Sequence, residues 1–162
     1  MSRNFLIALA VGVVCIAIAV AGILYVQRGA HLDLPGKVLK VRTAPLDESS
    51  SVAMIDFRVS NPSDYPAKVR TVTVYAEEKN GNRLTGQTIS DPDAKRVFEG
   101  IPLLGPKYNP SLILQDIIPG HAVWDRMIGA RFDVPDAQLQ ARKRFIVSIE
   151  EIDGKVFDIS EN

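Results

Sequence analysis

Nucleophilic and metal-binding chemistry near neutral pH draws first on histidine and cysteine, and this chain has only His31, His121 and Cys15 to offer. Cys15 lies inside an uncharged apolar run, His31 follows that run, and His121 occupies a Pro119-Gly120-His121 turn. None belongs to a cluster with ligand spacing, so no thiol nucleophile, disulfide framework or Cys/His metal site is expected. Asp91 and Asp93 flank Pro92 and could suggest calcium, but carboxylates at a helix start are favoured by the helix dipole alone. Arg142-Lys143-Arg144 reads as a basic cluster at a helix C-terminus, with lipid headgroups as its functional alternative. Glu150-Glu151 reads as a solvated strand end. The chain carries no phosphate-cradling glycine loop, no G-x-S-x-G elbow, no H-E-x-x-H and no EF-hand loop. The expected catalytic, cofactor-binding and metal-ligating sets are therefore all none, and the chain is expected not to be an enzyme. A hydrolase without a recognisable motif, working with Asp, Glu, Ser, Lys or Tyr, is the reading left on that side. With 19 Lys+Arg against 19 Asp+Glu, no basic field recruits nucleic acid.

Binding is the other class of activity, and it needs exposed apolar or aromatic groups. Trp124 reads mainly as a core or sheet-covering residue. Ile101–Pro110 (IPLLGPKYNP) carries three prolines and a glycine and must be an irregular loop. Its Leu103, Leu104 and Tyr108 are either folded back onto the core or held out for a partner. They form the candidate partner-binding loop.

What positions these residues begins with an anchor. Phe5 to Val26 contains no charged residue, and at 1.5 Å per residue it extends about 33 Å, enough for a hydrocarbon core of ~30 Å. The rival is a cleaved signal peptide, for which Ala19-Val20-Ala21 fits the small-x-small rule. Against it, the apolar run continues through Ile23-Leu24-Tyr25-Val26, well past a normal signal core. The expected organisation is a cytoplasmic N-terminus at 1–4, a transmembrane helix at 5–26, a juxtamembrane linker at 27–35 and one domain at 36–162. A short head before a long apolar run favours a signal anchor, N-end inside. That places the domain outside the cytoplasm on the inner membrane, although Arg28, Lys37, Lys40 and Arg42 pull the other way. Ala8, Gly12, Cys15, Ala19 and Gly22 recur at 4-3-4-3 spacing along one helix face, a candidate packing face for another transmembrane helix.

The domain reads as mostly β, because short β-branched segments are punctuated by turn signals every 8–12 residues or so. Expected strands are Lys37–Thr43, Val52–Ser60, Val69–Glu77, Arg83–Ser90, Ser111–Ile117, Ala122–Phe132, Arg144–Ile152 and Lys155–Ile159. In the first, Val38, Lys40 and Arg42 share a face. In the second, Ala53, Ile55, Phe57 and Val59 face in, while Asp56, Arg58 and Ser60 face out. Asn80-Gly81 and Asp153-Gly154 are hairpin turns. Asp91 is expected to cap a short helix with Pro92 at its first position, ending at Gly100, and Ala137–Arg142 forms a second.

Phe57-Arg58-Val59-Ser60-Asn61-Pro62-Ser63-Asp64-Tyr65-Pro66-Ala67-Lys68-Val69 resembles the strand–turn–strand of the water-stress and hypersensitive-response domain of late embryogenesis abundant proteins. Ile118-Pro119-Gly120, with Ala130-Arg131-Phe132-Asp133-Val134-Pro135, is similar to the ending of immunoglobulin-like accessory domains on bacterial membrane proteins. Both resemblances imply an immunoglobulin- or fibronectin-like antiparallel β-sandwich with one or two short helices and no catalytic set. The expected function is a membrane-tethered binding or scaffold module, held in the bilayer by residues 5–26 and meeting a protein partner. A single-span accessory subunit of a larger membrane complex is the alternative.

Overall fold

The computed structural model describes residues 3–27 and 33–161, so His31 lies outside the described residues. The chain forms two compact units, 1–32 and 33–162.

The described residues of the first unit form one unbroken helix, α1 (Arg3–Gln27). Its side chains are described at Ile7 and from Leu9 to Ile23. That second stretch is about 22 Å long at 1.5 Å per residue, and among the described residues no helix is long and apolar enough to cross a membrane. The expected span at 5–26 extends past the stretch at both ends and is carried by the sequence alone.

The second unit is built from β1 (Gly36–Pro45), β2 (Ser51–Ser60), β3 (Ala67–Glu77), β4 (Arg83–Ile89), α2 (Asp91–Gly100), a 3-10 turn (Pro102–Leu104), β5 (Ile117–Ile118), β6 (Val123–Phe132), α3 (Asp136–Gln140), β7 (Arg144–Glu151) and β8 (Val156–Ser160). The strands join in the order β1-β2-β6-β4-β3-β7-β8, with β5 on β3. All these strand pairs are antiparallel.

The sheet curls into two layers because β4 changes partners. Arg83–Gly86 pair with β3, whereas Gln87–Ile89 pair with β6. The handover residue must be small: a β-carbon on Gly86 would stand 2.6 Å from the Phe132 ring and 2.9 Å from Ala130. The far edges approach as well, so closely that a β-carbon on Gly36 would collide with Ile159 Cδ1. The result is a β-sandwich.

Between the layers, Ala53, Ile55, Phe57 and Val59 are fully buried with Ile128, Ala130, Phe132, Phe145, Val147 and Ile149, as the alternation of β2 predicts. The opposite face of β2 departs from expectation. Val52, Met54 and Asp56 are buried too, because α2 and the 3-10 turn lie over them. Ala44, Val52, Met54 and Met127 from the sheet enclose Ala94 and Leu104 in a second, smaller core, flanked by Ile89, Val97, Phe98 and Ile101.

Several sequence expectations need correction. In β1 the register shifts between Val38 and Lys40, so Leu39 is a bulge residue and Val38 joins the face opposite Lys40 and Arg42. Most of the expected Ser111–Ile117 strand is loop, with an isolated bridge at Ser111 and a two-residue strand at Ile117–Ile118. Ser90, not Asp91, caps α2, its side chain accepting from the Asp93 backbone N–H. Helix α3 spans Asp136–Gln140, so the expected residues 141–142 fall after it.

Candidate functional site

The 101–110 loop is fastened to the outer face of β1 and β2 by a buried ion pair. Arg42 on β1 and Asp56 on β2 both point away from the main core, into the space beneath the loop. Arg42 Nη2 donates to Asp56 Oδ2 at 2.6 Å, and Nη1 donates to the carbonyls of Leu104 and Pro106 at 2.9 and 2.7 Å. Asp56 Oδ1 accepts from Asn109 Nδ2 at 2.8 Å, so one carboxylate holds both the clamp and the far end of the loop. The guanidinium also lies over the rings of Phe98 and Tyr108, at 4.8 and 5.2 Å, and Lys40 Nζ stands 4.8 Å from the Tyr108 ring. Lys107 pairs with Asp91 at the start of α2, and this lysine, with Lys95 behind it, holds the Asp91 carboxyl well below the usual range. A segment rich in proline thus has few degrees of freedom left.

Of the three loop residues singled out from sequence, Leu104 is 1% exposed and belongs to the smaller core. Leu103 and Tyr108 are 77% and 59% exposed and stand outward on either side of it. The loop therefore does both things the sequence leaves open: Leu104 anchors it, and Leu103 and Tyr108 are presented. Arg42, Asp56 and Asn109 escape sequence reading. A charged residue at every second position of a strand looks like a solvated face, and only the loop above them turns it into an interior.

On α1, Gly12, Cys15, Ala19 and Gly22 of the small-residue stripe are exposed, and among the described residues a β-carbon added at Gly12 or Gly22 would meet nothing within 4 Å. The Ala8 side chain lies outside those described.

The other charged candidates resolve into structural pairs. Lys143 and Arg144 bind Glu77, and Arg142 binds Glu161, which corrects the reading of 142–144 as a helix-end cluster. Both partners hold the Glu77 carboxyl below its usual range. Asp93 serves Ser90 and Arg96. Glu151 is buried rather than solvated, its Oε2 has no partner among the described residues, and burial raises its pKa. His121 faces Asp64 at 2.8 Å on the surface. Trp124 is partly buried beneath Arg126, whose guanidinium is 3.9 Å from its ring. Among the described residues no three His, Cys, Asp or Glu side chains gather as a metal site.

The two segments that carry the family resemblances meet in space. Asn61 is buried; its Nδ2 donates to the carbonyls of Tyr65 and Ile118, at 2.8 and 3.1 Å. Gly120 is pressed so closely on the turn that a β-carbon there would lie 2.7 Å from the Ser63 carbonyl oxygen.

Set beside known proteins, the chain matches no family model and no curated protein. Among solved structures it is similar to a β-sandwich protein of Clostridium difficile 630, described as uncharacterized, with 14% identity over 80% of this chain and 86% of that one at a TM-score of 0.40.

Proposed function

We propose that this protein is a non-enzymatic binding or scaffold module, tethered to the inner membrane by residues 5–26, with its β-sandwich outside the cytoplasm. The observation that carries the reading is the clamped loop. A buried Arg–Asp pair, a proline-rich backbone and an anchored Leu104 hold Leu103 and Tyr108 exposed, and rigid apolar and aromatic groups bind with little ordering cost. The tether is supported by the uncharged run Phe5–Val26 within one continuous helix, Arg3–Gln27. Kinship with the immunoglobulin-like water-stress and hypersensitive-response domain is supported by the packing of the Asn61 turn on Ile118–Gly120.

The alternative, an accessory subunit of a larger membrane complex, draws on the small-residue face Gly12–Cys15–Ala19–Gly22, open to close approach by a second helix. A photo-crosslinking residue at Leu103 or Tyr108 should trap one discrete membrane-fraction partner, and one at Glu48 should not. Equal labelling from all three positions would refute the loop as the binding surface. Release of the full chain from membranes by alkaline carbonate would refute the tether.

A further inference from the structure

The chain enters its β-domain beside Ser60, whose backbone N–H and hydroxyl both donate to the Pro35 carbonyl, at 2.9 and 3.1 Å. Ser60 is paired with Val123, so the entry point lies at the end of the sandwich formed by the 61–66 turn, the 113–122 segment and the 152–155 turn. That end is unusually greasy. Tyr65, Ile113, Leu114, Ile117, Val123 and Ile152 are each at least half exposed there.

These side chains are not loose loop residues that could fold back. Val69 N–H donates to the Asp116 carbonyl and Gln115 N–H to that of Val69, at 2.9 and 2.8 Å, while Ile152 N–H donates to Lys68 at 3.0 Å. Ile117 pairs with the same Lys68, so Ile117 and Ile152 flank one residue of β3. Nearby charges balance: Arg58 pairs with Asp125, Arg70 with Glu150 and His121 with Asp64, and the same segments carry Lys68 and Lys155 against Asp116 and Asp153. A near-neutral surface rich in exposed apolar groups suits the boundary between lipid headgroups and acyl chains better than an anionic partner.

Chain length supplies the constraint. Only residues 28–32 separate the end of α1 at Gln27 from Asp33, and six steps of extended chain reach at most about 20 Å. We propose that the apolar end bearing Leu114 and Ile117 docks on the lipid surface that holds the chain's own N-terminal helix. This rests on the tether proposed above. Its burial is apolar rather than electrostatic, so docking should be insensitive to salt.

The test uses the full chain in phosphatidylcholine vesicles, with Cys15→Ser removing the native thiol. An environment-sensitive fluorophore is attached through Leu114→Cys or Ile117→Cys, and through Leu103→Cys and Glu48→Cys as controls. Spin-labelled lipid should quench the probes at 114 and 117 by roughly twofold or more, as expected for groups in the interfacial layer, and leave the controls unchanged. Retention through a carbonate wash with probes at 114 and 117 as open to aqueous iodide as that at 48 would overturn docking and leave the tether standing. Shielding from iodide without lipid quenching would mean a protein covers the end, and would also overturn it. Loss of the chain in the wash would overturn the tether and the docking together.

Discussion

Removing the carboxylate of Asp56 should be far more damaging than its place on a strand of otherwise outward-facing charges suggests. In Asp56→Ala the Arg42 guanidinium keeps its bonds to the Leu104 and Pro106 carbonyls but loses its one counter-charge among the described residues, in a site where the two side chains are 8% and 3% exposed. Arg42 Nε already lacks a partner among the described residues, and Asn109 loses its acceptor as well. Breaking a buried pair from one side costs about 3–5 kcal/mol. For a domain of this size each kcal/mol moves Tm by roughly 4 °C, so melting should fall by about 12–20 °C. The double variant Arg42→Met/Asp56→Leu leaves no orphan charge and should recover most of that loss, since an apolar pair of similar volume is often as stable. Thermal melting of the full chain in mild detergent reads the stability. Limited chymotrypsin digestion reads the loop, because Tyr108 and Leu103 should become cleavage sites in Asp56→Ala. A loss below about 1 kcal/mol with unchanged digestion would mean that the pair does not hold the loop and that its burial contributes nothing.

Phe57→Ala empties a fully buried site between the layers and should cost about 3–5 kcal/mol in denaturant unfolding; a shift under 1 kcal/mol would reject the register of β2. Gly120→Ala would set a β-carbon 2.7 Å from the Ser63 carbonyl oxygen and should lower stability by about 1–3 kcal/mol through forced backbone movement, whereas Gly81→Ala, with nothing near its β-carbon, should suffer only the penalty of its positive φ. The Glu151 carboxyl titrates higher folded than unfolded because of burial. Its protonated form therefore favours the fold, and stability is lost as pH rises from about 4.5 through the folded value. Glu151→Gln should melt higher than wild type at pH 7 and equal it near pH 4, and identical pH profiles would refute this.

Strand β2 shows both the reach and the limit of reading the sequence. Its alternation placed Ala53, Ile55, Phe57 and Val59 in the core, since a period of two is a local property of the strand. Nothing local distinguishes Asp56 from Arg58 on the other face. One is buried and the other paired near the surface because α2 and the 3-10 turn, some forty residues downstream, cover only part of that face. The bulge at Leu39 is equally invisible, being set by pairing with β2. At the candidate site, the proline content of 101–110 announced an ordered loop, but which leucine would anchor it and which would be exposed depended on the smaller core. Glu151 failed for the same reason: a charge next to a turn looks solvated until Val69 is paired against it.

The pairing of β2 with the much later β6 places a condition on synthesis. Strand β2 is apolar on both faces along Val52–Ile55 and receives its inner neighbour only from β6, Ser51 pairing with Phe132 and Ser60 with Val123. About sixty residues of chain, 61–122, separate the two strands, and at 5–20 residues per second they emerge some 3–12 s apart. Throughout that interval the β1–β2 hairpin has an open, greasy edge of the type that recruits other chains. It also lacks the lid of α2 for much of the time. Under the tether proposed above, the segment made before the domain would hold the nascent chain at a membrane, away from others like it while it waits, and so protect this topology during folding as well as locate it afterwards.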